Sequence, residues 1–65
     1  MKLEINGEWQ DVEAKTLKDL IEHLDYGDAI VATARNGAFV RATERASTAL
    51  HSEDRIEILV PRQGG

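Results

Sequence analysis

Residues 2–11 read Lys2-Leu3-Glu4-Ile5-Asn6-Gly7-Glu8-Trp9-Gln10-Asp11, and the reading of this stretch sets the architecture. Lys2 to Ile5 alternates polar and apolar side chains, the period of a strand with one buried face. Asn6-Gly7 supplies two positive φ angles at little steric cost, as a two-residue hairpin turn requires. Glu8 to Glu13 then returns as the second strand. With that turn Ile5 opposes Glu8 and Glu4 opposes Trp9, which places Trp9 on the face away from Leu3 and Ile5. A one-residue bulge would turn Trp9 inward instead. The core is the commoner place for the only Trp of a small domain, so the inward placement carries slightly more weight.

Outward from this hairpin the apolar period lengthens. Thr16 with Asp19 is a capping-box-like pair whose oxygens can satisfy free N–H groups of a first helical turn. Leu17, Leu20, Ile21 and Leu24 follow at i, i+3, i+4 and i+7, one apolar stripe with Lys18, Glu22, His23 and Asp25 on the wet side. In a chain with so few apolar residues the stripe is read as core rather than as a partner's groove. Gly27 is placed to end the helix in a left-handed cap.

Asn36-Gly37 repeats the turn chemistry between Ile30–Arg35 and Ala38–Arg41. Ala34 then opposes Phe39, so Ile30, Ala32, Ala34 and Phe39 share a face. That face is expected to meet the helix, with the small alanines letting its backbone come close. Thr43 to Leu50 is a helical turn or an irregular crossing anchored by Leu50. Arg55 to Val60 is the last strand, with Ile56, Ile58 and Val60 on one face and Leu59 on the other, and Pro61 ends it by removing a ladder donor.

The order is hairpin, helix, hairpin, crossing segment, strand. It predicts an α+β domain in which a mixed sheet of four to five strands packs on one main helix, with the first and last strands as parallel neighbours. That arrangement is the β-grasp, or ubiquitin-like, fold. Residues 1–61 form the predicted domain and residues 62–65 a flexible tail.

At 65 residues the chain is one small domain with no room for a deep substrate pocket, which argues against a self-contained enzyme. The formal charge of -4 comes with no basic stripe, so the phosphate-neutralising footprint of a nucleic-acid binder is missing. No apolar run reaches the ~20 residues of a membrane span, and the first residues lack a signal peptide's apolar block. A soluble cytoplasmic protein is expected. Cysteine is absent, which excludes disulfides, thiolate metal sites and a thiol nucleophile of the chain's own. His23 and His51 show no ligand spacing and are read as solvated, with no metal site.

The sequence closes on Pro61-Arg62-Gln63-Gly64-Gly65. With Gly at about 7% of residues, a final Gly-Gly arises by chance in roughly one chain in 200. Two glycines can thread extended into a channel too narrow for other residues and present a carboxylate there. The expectation is that the chemistry sits on that carboxylate, with a frayed end, a cloning scar or a truncation as the bland readings.

Taken together these residues resemble the ThiS family, the sulfur-carrier proteins of thiamine biosynthesis, over essentially the whole chain. The resemblance is carried by Asn6-Gly7-Glu8, Thr16-Leu17 with Leu20-Ile21, Ala32 with Asn36-Gly37 and Phe39-Val40-Arg41, Asp54-Arg55-Ile56-Glu57-Ile58, and Gly64-Gly65. Two positions depart from the family's pattern: Arg45, where an aromatic is frequent, and Glu53, where a Gly often precedes the Asp of the last turn.

The resemblance implies a protein co-substrate rather than an enzyme. A ThiF-like adenylyltransferase would use ATP and magnesium to convert the Gly65 carboxylate to an acyl-adenylate. A persulfide donor such as a cysteine desulfurase would then displace AMP, and a ThiG-like thiazole synthase would take the sulfur from the resulting thiocarboxylate. No cofactor of the carrier's own is implied. Gly64 and Gly65 would carry the chemistry.

Arg62 to Gly65 reach at most about 13 Å at ~3.3 Å per residue, enough to enter a recessed site while the body docks outside. Leu59 and Trp9 with the neighbouring sheet face are the docking candidates. Arg62 and Gln63 would meet the partner along the tail, Arg62 at an acidic rim. A carrier for molybdopterin or another metabolite, and a ubiquitin-like modifier or plain interaction module, remain as rival readings. A free monomer is expected, because the tail must visit different enzymes in turn.

Overall fold

The computed structural model describes residues 1–26 and 30–61. Five strands, β1 (Lys2–Ile5), β2 (Glu8–Asp11), β3 (Ala32–Arg35), β4 (Ala38–Val40) and β5 (Arg55–Leu59), are joined by one α-helix, α1 (Leu17–His23), and a 3₁₀ helix (Ala42–Ser47). They form one mixed sheet in the order β2-β1-β5-β3-β4, with β1 and β5 parallel and every other pair antiparallel. The last strand in sequence is therefore the middle strand in space. This is the β-grasp arrangement expected from the element order.

Both hairpins keep the predicted register, Ile5 opposite Glu8 and Ala34 opposite Phe39. Asn6 and Gly7 hold φ of 50° and 84°, Asn36 and Gly37 of 51° and 85°, so both turns are of the I′ kind that matches the twist of the flanking strands. A Cβ at either glycine would meet nothing within 4 Å. Backbone angle, not space, is what selects glycine there.

Helix α1 starts as its sequence directs, Thr16 Oγ1 accepting from Asp19 N–H at 3.2 Å. The Asp19 carboxylate reaches one residue further back than in a strict capping box, to Lys15 N–H at 3.3 Å. Beyond the C-cap Leu24 the chain turns left-handed at Asp25 (φ 66°). Asp25 N–H bonds to the Glu22 carbonyl and Tyr26 N–H to the Ile21 carbonyl, the pattern of a Schellman cap. The left-handed position thus falls on Asp25, earlier than the Gly27 expected to provide it, and Gly27 lies outside the described residues.

The core lies between α1 and one face of the sheet. Leu17, Leu20 and Ile21 of the helix meet Leu3, Ile5, Ile56 and Ile58 of β1 and β5, and Val12, Val31, Val40 and Leu50 close the margins. Each fully buried Leu or Ile contributes roughly 1.5–3 kcal/mol relative to exposure. Leu50 is the expected anchor of the crossing segment, held by its N–H to the Lys15 carbonyl at 2.9 Å.

Three sequence expectations are corrected here. Trp9 lies on the outer face and is exposed, because no bulge interrupts the β1–β2 register and Leu3 and Ile5 take the inner one. The inner face of β3–β4 is formed by Val31, Thr33 and Val40, not by Ile30, Ala32, Ala34 and Phe39. The cause is non-local: Thr33 pairs with Ile58, whose side chain points into the core. The Thr33 hydroxyl is satisfied there, donating to the Val40 carbonyl at 2.7 Å and accepting from Arg45 Nε at 3.0 Å. Val60 is exposed rather than buried with Ile56 and Ile58, because β5 ends at Leu59.

Candidate functional site

Arg62, Gln63, Gly64 and Gly65, the predicted chemical end of the molecule, lie outside the described residues. What the structure describes is their mount. β5 runs through the middle of the sheet, and Pro61 follows it closely in the chain. The mount therefore consists of the bonds that hold β5 and the surface around its C-terminal end.

Both Asn-Gly turns bond to β5. At its start, Asn36 N–H donates to the Arg55 carbonyl at 2.7 Å and Arg55 N–H donates to Asn36 Oδ1 at 2.8 Å. One residue further along, Asn6 N–H donates to the Ile56 carbonyl at 2.9 Å. The Asn6 side chain then brackets Ile58, Oδ1 accepting from its N–H at 2.8 Å and Nδ2 donating to its carbonyl at 3.2 Å. Sequence reasoning found both asparagines as turn residues and missed this second use, for which the chain carries no local signal.

Asp54 leads into β5 and is buried. It accepts from Arg35 Nε (2.8 Å), Asn36 Nδ2 (3.0 Å) and His51 N–H (2.8 Å). Burial raises the carboxyl pKa, but the hydrogen bonds from Asn36, His51 and Arg35, with the Arg35 charge, outweigh it. The group is held below its ordinary value. The second hairpin is thereby pinned to the turn that launches the central strand.

On the outer face, Leu59 pairs with Ala32 and Ala34 with Phe39. Leu59 is 67% exposed, Phe39 70%, Ile30 77% and Val60 56%. Leu59 and Phe39 thus share the outer face on neighbouring rows, with Ile30 exposed just before β3 and Val60 just after β5. The register shows why large residues fit: Leu59 and Phe39 each face an alanine on β3. Leu59 is where the sequence placed it, outward. Ile30 and Phe39 were assigned to the core and are additions to the site.

Trp9 is also exposed, at 54%, under the Lys2 ammonium 5.9 Å from its ring centroid. It lies apart from Leu59. β1 intervenes between their strands, and its row, Trp9–Glu4–Arg55, starts at the other end of β5, about 16 Å away by strand spacing and rise. The Glu4–Arg55 ion pair, 2.8 Å, occupies the ground beside it. The structure thus separates the two docking candidates, placing Leu59 beside the exit and Trp9 away from it.

His23 and His51 are both exposed. Among the described residues no group of three or more His, Cys, Asp or Glu could hold a metal ion, and no helix is long and apolar enough to cross a membrane.

A model of the ThiS family matches residues 2–65. Among solved structures, the chain is similar to the thiamine biosynthesis protein (ThiS) from Geobacter metallireducens, with 26% sequence identity over 100% of both chains and a TM-score of 0.83. No curated protein matches the chain.

Proposed function

The chain belongs to the ThiS family, and on that premise we propose that it is a sulfur carrier for thiamine biosynthesis whose reactive group is the Gly65 carboxylate. The observation that carries this reading is the extent of the family match, which runs through Gly64 to Gly65. Similarity to the Geobacter thiamine biosynthesis protein supports the thiamine pathway over other uses of the fold.

A carboxylate is a poor electrophile, and its mixed anhydride with a phosphate is a good one. In the proposed sequence a ThiF-like partner forms the acyl-adenylate of Gly65 from ATP with magnesium, releasing pyrophosphate. A persulfide sulfur attacks the carbonyl carbon and AMP leaves. Thiol cleavage of the resulting S–S bond leaves the thiocarboxylate, from which a ThiG-like synthase takes sulfur for a thiazole ring. This chain contributes no catalytic side chain. The absence of cysteine fits, since no internal thiol can intercept the activated end.

Recognition falls to the body. The outer face around Leu59 and Phe39, with the exposed Ile30 and Val60 beside it, is the proposed docking surface, with Arg62 and Gln63 meeting the partner along the tail and Trp9 at the far margin. A docked outer face would hold Gly64 and Gly65 at the mouth of a narrow channel. Incubation with a ThiF-like enzyme, ATP, magnesium and a persulfide donor, followed by intact-protein mass spectrometry, tests the reading. Exchange of one oxygen for sulfur at Gly65 is the expected result. An unchanged mass, with the same enzyme preparation active on its own carrier, would overturn it.

A further inference from the structure

In a parallel pair, one strand bonds to its neighbour through alternate residues at even spacing. β1 does this along β5, through Glu4 N–H to the Asp54 carbonyl at 3.0 Å and Asn6 N–H to the Ile56 carbonyl at 2.9 Å. The next step belongs to Ile58, but at Asn6 the backbone turns left-handed, φ 50°, and leaves the sheet. The Asn6 side chain completes the step in its place, accepting from Ile58 N–H and donating to the Ile58 carbonyl. A primary amide offers one acceptor and two donors, so it can stand in for the peptide group that β1 no longer supplies. On the other side Ile58 pairs with Thr33. The central strand therefore stays bonded on both flanks for one residue pair longer than its neighbour's backbone allows.

We propose that Asn6 is a positioning residue for the C-terminal carboxylate. By holding Ile58 on the β1 flank, while β3 holds the other flank through Leu59, it fixes the direction in which β5 leaves the sheet. The inference rests on the sulfur-carrier reading. Its physical basis is orientation: with the amide lost, the last residues of β5 are held from β3 alone, and the strand leaves the sheet over a wider range of directions. The outer face is untouched by this change. Docking is then preserved while the docked carboxylate occupies the reacting position less often.

Asn6→Gly separates the two uses of the residue, since glycine accepts φ 50° and keeps the turn while the amide is lost. Asn36→Gly is the matched control, because it removes the equivalent clamp at the other end of β5 along with a bond to Asp54. The expected result is faster hydrogen exchange at the Ile58 amide in Asn6→Gly alone. With it should come a fall of roughly two- to fivefold in kcat for adenylation by a ThiF-like enzyme at unchanged KM, as for a modest misorientation of the reacting end. Asn36→Gly, at least as destabilised in a melting curve, keeps the wild-type kcat. Asn6→Asp, which retains the acceptor and loses the donor, is expected to fall between and serves if the glycine variant does not fold.

Unchanged exchange at Ile58, a wild-type kcat despite faster exchange, or an equal loss in Asn36→Gly would each overturn the assignment. A wild-type protein that is not adenylated at all overturns the sulfur-carrier reading itself, and the role of Asn6 with it, while the exchange measurement still reads the clamp.

Discussion

Glu53 has a φ of 74°, a left-handed conformation that costs a side-chain-bearing residue about 1–2 kcal/mol. It is one of the two positions at which the sequence departs from the resemblance, and its N–H donates to the Lys2 carbonyl at 2.6 Å, which keeps the strained angle in place. Glu53→Gly is therefore expected to raise stability by about 0.5–1 kcal/mol, less than the full strain because glycine loses more backbone entropy on folding. Chemical denaturation of the two proteins checks it. Arg45, the other departure, has an evident occupation: its Nη2 donates to the Val31 carbonyl at 2.7 Å and its Nε to Thr33, closing the margin of β3 with hydrogen bonds. Asp54 carries the pH dependence. A carboxyl whose folded pKa lies below its unfolded value of about 3.9 adds stability above that value and loses it as pH falls through the folded pKa. Asp54→Asn should cost about 2–3 kcal/mol at neutral pH, since it removes a charge-assisted network and strands Arg35. Its melting temperature should also fall less steeply with acid below about pH 4 than that of the wild type. Parallel acid limbs for the two proteins would contradict the role given to Asp54.

At the scale of elements, the outer apolar patch can be tested without disturbing the core. Leu59→Thr keeps a residue suited to a strand and removes an exposed side chain, so stability should shift by no more than ~0.5 kcal/mol. If the patch docks the adenylating partner, kcat/KM should fall roughly tenfold through KM. Trp9→Thr, on its separate row, should change it by less than about twofold. Steady-state adenylation assays with both variants decide between the two surfaces. The strands, their order and both hairpin registers were legible in the sequence because Asn-Gly turns and period-2 alternation are local signals. Which face of β3 and β4 looks inward was not. Both carry apolar side chains, Ile30, Ala32, Ala34 and Phe39 against Val31, Thr33 and Val40, so alternation alone leaves the choice open. Ile58 makes it, through its pairing with Thr33, and that contact links residues far apart in the chain. The same distance hid the Asn6 clamp, whose partner lies 52 positions away. Asp25 took the helix stop from Gly27 for a local reason that composition underrates: a short polar side chain also tolerates the left-handed region.

At the scale of the molecule, the most distant parts of the sequence hold the strand from which the terminus departs. β1, from the first residues, and β3, from the middle, flank β5 on either side. Among the described residues every buried side chain lies between Leu3 and Ile58, so the described core draws on nothing after Ile58. Body and terminus should then be separable by experiment. Deleting Gly65 should leave unfolding free energy within ~0.5 kcal/mol of wild type, yet abolish thiocarboxylate formation, because the carboxylate would stop about 3.5 Å short of the reacting position. Gly65→Ala restores the length but adds a methyl group inside the channel, and a loss of at least ~100-fold in kcat/KM is expected. A truncated carrier that keeps its outer face should still dock. It should therefore inhibit adenylation of the intact protein competitively, with an inhibition constant within about threefold of the wild-type KM, provided that KM reports body docking. Combining the deletion with Leu59→Thr should raise that constant roughly tenfold, the same factor as in the full-length protein, since two sites without shared contacts act additively. A truncated carrier that fails to inhibit would place the recognition energy in the terminal residues themselves, and the outer face would lose its assigned part.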